Sequence, residues 1–148
     1  MPDSLVLCDP GATTLEHADR LSTRIHNELA GNDPYELDVA QLEILSCLSG
    51  AEGKLIRGVD IYEQLKKEKL LWRCLGYAEI LAIEFKGNSF HDKYFNGKRV
   101  VGWKDAVLRL RDHQILVPFV DKGINVFHGW MWLGGELRVN APTYLKRQ

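Results

Sequence analysis

The sequence predicts an α+β fold, with helices in the first two thirds of the chain and a β-hairpin in the last third. Before residue 115, apolar residues recur in several segments at three- and four-residue spacing, which is typical of one face of a helix. After residue 116, short apolar runs alternate with turn residues, which favours strands. The 148 residues are 45% hydrophobic and 26% charged. This balance suits one globular domain, with or without an N-terminal extension.

The N-terminal third predicts an irregular start and then two helices. Residues 1–12 contain two prolines and a glycine. A helix is expected over residues 13–30, capped by Thr13 or Thr14 and ended by Gly31. A second helix is expected over residues 38–48, with a leucine stripe on one side. We therefore divide the chain into an N-terminal arm and helix, residues 1–36, and a domain, residues 37–148, that together form one compact unit.

The middle of the chain predicts a strand, a third helix and an ambiguous apolar segment. KLIRG (54–58) reads as a short strand, and GVDIYEQLKKEK (58–69) as a helix whose lysines lie near its C-terminus. Residues 70–85 favour a helix to about residue 82, although EILAIEF could equally be a strand. Residues 86–102 are the least regular, and Asn96-Gly97 indicates either a two-residue hairpin turn or a loop.

The last third predicts a helix that leads directly into a hairpin. Residues 103–114 place apolar side chains on one helical face at spacings of three and four. Residues 117–120 and 124–133 then read as two strands joined by a turn at 121–123, and residues 136–140 as a third strand. Pro118 lacks a backbone donor, so its strand is expected at a sheet edge, or with Pro118 off the ladder.

This order of elements resembles the winged helix-turn-helix family over residues 37–134. The resemblance is carried by five segments: LDVAQLEILSCLSG, KLIRG, VDIYEQL, AVLRLRDHQILVPF and VPFVDKGINVFHGWMWL. It implies a winged-helix-like three-helix core, a C-terminal hairpin wing and an extra N-terminal helix. One departure is an insertion at about residues 70–102, because the family joins its second and third helices within a few residues. In the family's DNA-binding members, the third helix enters the major groove and the wing touches the backbone.

The resemblance implies a regulator that binds duplex DNA, for which the basic C-terminal part offers candidate residues. Residues 86–148 carry eleven basic and five acidic side chains, whereas residues 1–50 carry two and nine. This asymmetry favours either a polyanionic partner or attraction between the two parts of the chain. Asp105, Leu108 and Asp112 on the exposed helical face argue against phosphate contact, and a merely solvated charged face is the alternative. The predicted nucleic-acid-binding residues are Lys98, Arg99, Lys104, Arg109, Arg111 and Lys122.

The hairpin motivates an alternative function as a protein-interaction module, such as an adaptor or inhibitor, or a dimer. Both faces of residues 124–133 are largely apolar, and only one face can cover the predicted core. The other face is expected to meet either the helix at 13–30 or another chain. The predicted partner interface consists of Phe127, Trp130, Met131 and Trp132.

The sequence does not predict an enzyme, a cofactor or a metal site. Three cysteines and five histidines show no metal-ligand spacing, and no phosphate loop or nucleophile motif is present. A third hypothesis is a Mg²⁺-dependent nuclease, because Glu84-x-Lys86 follows an apolar run and Asp60 could supply a second carboxylate. No apolar run of membrane-spanning length and no signal peptide is evident, so a cytoplasmic protein without a membrane partner is expected.

Overall fold

The structure is a computed structural model whose described part contains three α-helices and eleven strands. The described residues are 3–10, 22–24, 33–45, 55–109, 112–134, 136–138 and 143–147. The helices are α1 (Gly58–Lys67), α2 (Tyr77–Lys86) and α3 (Asn88–Phe95). The strands are β1 (Leu5–Cys8), β2 (Ser22–Arg24), β3 (Tyr35–Asp38), β4 (Glu43–Leu45), β5 (Leu55–Arg57), β6 (Val100–Val101), β7 (Val107–Arg109), β8 (Gln114–Lys122), β9 (Val126–Trp132), β10 (Glu136–Arg138) and β11 (Thr143–Leu145).

The central feature is a five-stranded antiparallel sheet built around β8. One edge of β8 pairs with β7 and, further along, with β6, and β2 pairs with β7 in turn. The other edge of β8 pairs with all seven residues of β9, from Leu116↔Trp132 to Lys122↔Val126. Three further two-stranded pairs surround this sheet: β1 with β3, β4 with β11, and β5 with β10.

Both faces of the central sheet are buried. On one face, Val100 and Val120 pack with side chains of α2 and α3 in a buried cluster that also reaches β1. On the other face, Val117 and Phe119 pack with side chains of α1 in a second buried cluster. Because side chains alternate along a strand, apolar residues at successive positions of β8 serve the two clusters in turn. This explains why the hairpin sequence is apolar on both sides.

Pro118 lies inside the central strand β8, not at the sheet edge. Its carbonyl accepts a hydrogen bond from Gly102 N–H at 2.8 Å, at the point where β6 has ended and β7 has not begun. An N–H at position 118 would therefore have no partner in β6 or β7, so a proline is tolerated there. Of the two placements expected for this proline, the one off the ladder is confirmed.

The helix predicted over residues 103–114 is wrong. Residues 103–105 form a single 3₁₀ turn, β7 follows, and β8 begins at Gln114 after a tight turn in which His113 has φ 57°. The physical reason is long-range pairing, because β7 lies between β2 and β8 and both of its backbone edges are used. In the described part of the chain, the winged-helix resemblance thus lacks the helix that would read DNA.

Two other predicted helices are also wrong where the structure describes them. Residues 39–41 form a 3₁₀ turn and residues 43–45 form β4, in place of the start of a helix over 38–48. Within the helix expected over 13–30, residues 22–24 form β2, and the remainder lies outside the described residues. Both segments pair with distant strands, β11 and β7, which local spacing does not reveal.

The hairpin expected at Asn96-Gly97 is replaced by the end of α3. Asn96 has φ 53°, and its N–H donates to the Asp92 carbonyl in the last turn of α3. An Asn-Gly pair favours the left-handed backbone of a helix C-terminus as well as that of a hairpin turn. The Asn-Gly pair therefore indicates a left-handed backbone at this position, but it does not decide between a hairpin turn and the end of a helix.

The coarser predictions are confirmed. The chain is a mixed α+β protein with α1 and α2 near their expected positions and a β8–β9 hairpin in the last third. The strand expected at 136–140 is present as β10, although it pairs with β5 and not with the hairpin.

Candidate functional site on the outer edge of strand β9

Strand β9 presents an edge that pairs with no other strand among the described residues. The N–H of Val126 points away from β8, because it donates to the Asn88 side-chain oxygen at 2.7 Å. Backbone groups alternate in direction along an antiparallel strand, so those of His128, Trp130 and Trp132 point the same way. Those of the residues between them face β8. The outward row therefore offers three consecutive pairs of backbone donors and acceptors.

The strand itself carries no lysine, proline or bulge, which are devices that commonly protect a sheet edge. VFHGWMW contains no lysine and no proline, and its register against β8 runs through all seven residues without a bulge. Such an edge readily pairs with another strand. Its chemistry therefore indicates a surface that another strand covers.

Large apolar side chains are exposed around this strand. Phe127 is 45% exposed, Trp132 is 49% exposed, and Ile124 in the preceding turn is 95% exposed. These are three of the seven large hydrophobic side chains exposed in the described part of the chain. Aromatic side chains at the surface are enriched in protein interfaces.

Helix α2 holds β9 through a polar and aromatic cluster. His128 Nδ1 lies 2.7 Å from a carboxylate oxygen of Glu84, and both side chains are about one third exposed. The Tyr77 ring packs on Trp130, with centroids 5.0 Å apart. Trp130 Nε1 is buried and has no hydrogen-bond partner among the described residues. These contacts hold the strand from one face and do not use the backbone groups of its outer edge.

The four predicted interface residues all lie on β9, but they do not form one exposed face. Trp130 and Trp132 point to the α2 side, whereas Phe127 and Met131 point to the α1 side. Met131 is buried, and Trp130 is partly covered by Tyr77. The sequence analysis expected the second hairpin face to meet either the helix at 13–30 or another chain, and it did not consider the strand edge. The signal available for the edge was a seven-residue strand without lysine, arginine, aspartate or glutamate.

The six predicted nucleic-acid-binding residues are not brought together. Lys98, Arg99 and Lys122 lie at one end of β8, where Val100 pairs with Val120. Arg109 pairs with Gln114 at the other end, about 27 Å away for a nine-residue strand. Arg111 lies outside the described residues.

Carboxylates accompany several of these basic side chains. Arg99 Nε lies 2.9 Å from Asp121, and its guanidinium also stacks over the Phe119 ring. Lys122 Nζ lies 2.6 Å from Asp92. Arg109 makes a two-pronged contact with Asp112, at 2.7 and 3.0 Å. These pairs reduce the positive potential that a polyanion would meet.

Lys104 belongs to a buried polar cluster at the N-terminus of α2. Asp105 accepts the Tyr77 N–H at 2.7 Å, and Glu79 accepts the Gly76 N–H and the Lys146 ammonium, both at 3.3 Å. Burial, together with the nearby Lys146, lowers the pKa of Lys104. Carboxylates at this position stabilise the positive end of the helix. The cluster thus has a structural role as the cap of α2.

The residues of the nuclease hypothesis lie on different faces of the sheet. Glu84 is on α2, where it contacts His128, and Asp60 is exposed on α1, which packs on the opposite face. Among the described residues, no group of three or more histidine, cysteine or acidic side chains is arranged to hold a metal ion.

Fold and site together define an α+β protein in which helices cover both faces of an antiparallel sheet, and in which one long strand edge has no partner strand among the described residues. No family model, curated protein or solved structure matches the chain. Among the helices that the structure describes, none is long and apolar enough to cross a membrane.

Proposed function

We propose that the protein is a protein-interaction module that binds its partner by adding a strand to the outer edge of β9. The observation that carries this proposal is the combination, on one strand, of an unprotected backbone edge and exposed aromatic side chains. In strand addition, main-chain hydrogen bonds supply affinity, and the side chains on alternate positions supply specificity.

The geometry of β9 supports this function on both counts. His128, Trp130 and Trp132 offer outward backbone groups, and each hydrogen bond formed there contributes about 1 kcal/mol net. Trp132 and Phe127 lie on opposite faces, so a bound strand would extend the sheet and meet an aromatic side chain on each face.

Amide hydrogen exchange tests the proposal residue by residue. In a dilute sample of the monomer, the amides of His128, Trp130 and Trp132 should exchange fast. Those of Gly129 and Met131, which face β8, should exchange slowly. If the outward amides are equally protected in the dilute monomer, the chain already covers this edge and the proposal fails.

Binding of duplex DNA is a second proposal, supported by a different observation. Lys98 is exposed and lies beside Arg99 and Lys122. Lys122 contacts Asp92 of α3, so the exposed Lys93, which follows Asp92, lies at the same end of the sheet. Three neighbouring aspartates, Asp3, Asp92 and Asp121, reduce the positive potential of this surface.

A salt titration of duplex binding, followed by fluorescence anisotropy, tests this second proposal. The variant carrying Lys93→Ala and Lys98→Ala should bind more weakly and with a shallower salt slope. The matched control carries Lys66→Ala and Lys67→Ala, which remove two exposed charges from α1 on the other side of the sheet. Equal losses in both variants, or no binding at low salt, would remove DNA from consideration.

A further inference from the structure

We infer that the partner of β9 is a second copy of this chain, and that the two β9 strands pair antiparallel across a two-fold axis. This inference rests on the proposed strand addition and names the partner. It joins two five-stranded sheets into one continuous sheet of two protomers. Such isologous contacts are the commonest route to dimers of identical chains.

Asn88 sets the register of this pairing. Its side-chain oxygen accepts the Val126 N–H at 2.7 Å, and its amide nitrogen donates to Ile124 O and Asn125 Oδ1 at 3.3 and 3.2 Å. The first outward donor of β9 is therefore already used. The outward positions that have no backbone partner among the described residues are His128, Trp130 and Trp132.

The symmetric arrangement that uses these three positions and no others is centred on Trp130. Trp130 then lies opposite the partner's Trp130, and His128 lies opposite the partner's Trp132. Each of the three resulting residue pairs exchanges two backbone hydrogen bonds. A register centred one residue earlier would require the Val126 N–H that Asn88 already holds.

Side chains in this register are compatible with one another on both faces of the sheet. On the α2 side, the half-exposed Trp132 lies across from the partner's His128, which Glu84 holds in place. On the α1 side, Gly129 lies across from the partner's Met131, so a residue without a side chain faces a long one. Directly opposite side chains in an antiparallel pair are close enough to contact each other.

Charge also favours a second copy. His128 is the only titratable side chain on β9, and Glu84 accompanies it. In the register centred on Trp130, the two copies of His128 do not face each other. Self-pairing therefore brings no like charges directly opposite each other, an arrangement that would be destabilising.

Sedimentation velocity and concentration-dependent amide exchange on the full chain test this inference together. On raising the concentration, the protein should become a dimer, and the amides of His128, Trp130 and Trp132 should gain protection at the same midpoint. A dimer that protects other amides instead would overturn the inference. A protein that stays monomeric with these amides unprotected would also overturn it, while leaving strand addition by a different partner intact.

A matched pair of variants isolates the backbone contribution. Trp132→Pro removes an outward N–H but none of the groups that face β8, whereas Trp132→Ala removes the indole and keeps the N–H. The proline variant should raise the dimer dissociation constant about tenfold or more relative to the alanine variant. Continued slow exchange at Gly129 and Met131 would show that the hairpin is intact. Equal dissociation constants for the two variants would contradict pairing through this edge.

Discussion

At the residue scale, the buried carboxylate of Asp105 has a role that its position in the sequence conceals. It lies 28 positions after Tyr77, yet its oxygen accepts the Tyr77 N–H at 2.7 Å in the first turn of α2. The sequence analysis placed Asp105 on the exposed face of a DNA-reading helix. In the structure it is buried and caps another helix. A side chain that bonds a distant backbone group leaves no local pattern, so its role could not be predicted.

Replacing this cap should destabilise the protein. Asp105→Ala is expected to lower the free energy of unfolding by about 2 kcal/mol, because it leaves a buried backbone donor at the start of α2 without its acceptor. Urea denaturation measures the loss. The control is Asp60→Ala, which removes an exposed acidic residue from the first turn of α1 and should cost well under half as much. Similar losses in both variants would contradict the capping role.

The buried thiol of Cys8 predicts how stability responds to alkaline pH. Burial, with the nearby Glu79 carboxylate, raises the pKa of Cys8 from 9.0 to about 12. Between these values the unfolded chain loses the thiol proton and the folded chain keeps it. The free energy of unfolding therefore falls as pH rises through this window, and the thiol has no such effect below pH 9.

The Cys8→Ala variant should show a shallower decline in stability between pH 9 and 12 than the unmodified chain. Chemical denaturation at a series of pH values measures both slopes, and the slopes should coincide between pH 6 and 8. Some decline should persist, because burial also raises the pKa values of Cys74 and Tyr144 to about 12. Identical alkaline slopes in the two proteins would contradict the assignment.

At the element scale, α1 and β7 show what local sequence can and cannot predict. In α1, Ile61 and Leu65 lie four residues apart and are both buried against the sheet, as their spacing predicts. The same spacing occurs at Trp103, Ala106 and Val107, but Val107 is the first residue of a strand, because β7 is held by partners on both sides. In these two segments helical spacing identifies the buried positions, but the element that buries them depends on strands far away in the chain.

The junction between β6 and β7 requires a glycine at position 102. A β-carbon there would lie 3.0 Å from both Ile80 Cγ1 and Pro118 Cγ, and 3.3 Å from the Gly76 carbonyl carbon. Gly102→Ala should therefore lower the free energy of unfolding by about 1–3 kcal/mol through overpacking.

Thermal or urea denaturation measures this effect against a matched glycine. A β-carbon at Gly123, in the exposed turn before β9, would lie 3.6 Å from its nearest neighbour, an ordinary contact. Gly123→Ala should consequently change stability by less than about 1 kcal/mol. If Gly102→Ala is tolerated equally well, α2 does not pack against the β6–β7 junction as closely as described.

At the scale of the whole molecule, the helices on both sides of the central sheet decide where a partner can bind. The sequence identified the aromatic residues of β9 as unusual, and it predicted that one face of the hairpin meets either the helix at 13–30 or another chain. In the structure, α2 and α1 cover the two faces, and within the described part of the chain the outer edge of β9 has no partner strand. Which face of a hairpin is covered depends on how distant helices pack. The residues of the site could therefore be predicted, but their arrangement could not.

The two proposed functions predict different responses to salt, because one uses an apolar strand edge and the other a basic surface. β9 carries no lysine, arginine, aspartate or glutamate, whereas the end of β8 carries Lys98, Arg99 and Lys122. Association through β9 should change less than about threefold between 50 and 200 mM salt, because screening acts on charges and not on backbone hydrogen bonds or aromatic contacts. DNA binding with about four phosphate contacts should weaken roughly a hundredfold over the same range.

Sedimentation velocity and fluorescence anisotropy at the two salt concentrations measure these responses on the same preparation. The Trp132→Pro variant is the control for association, and the variant carrying Lys93→Ala and Lys98→Ala is the control for DNA. Since the surfaces are separate, each variant should affect only its own equilibrium. A dimer that dissociates steeply with salt would instead place the interface on the charged end of the sheet, because an uncharged strand edge has no counterions to exchange.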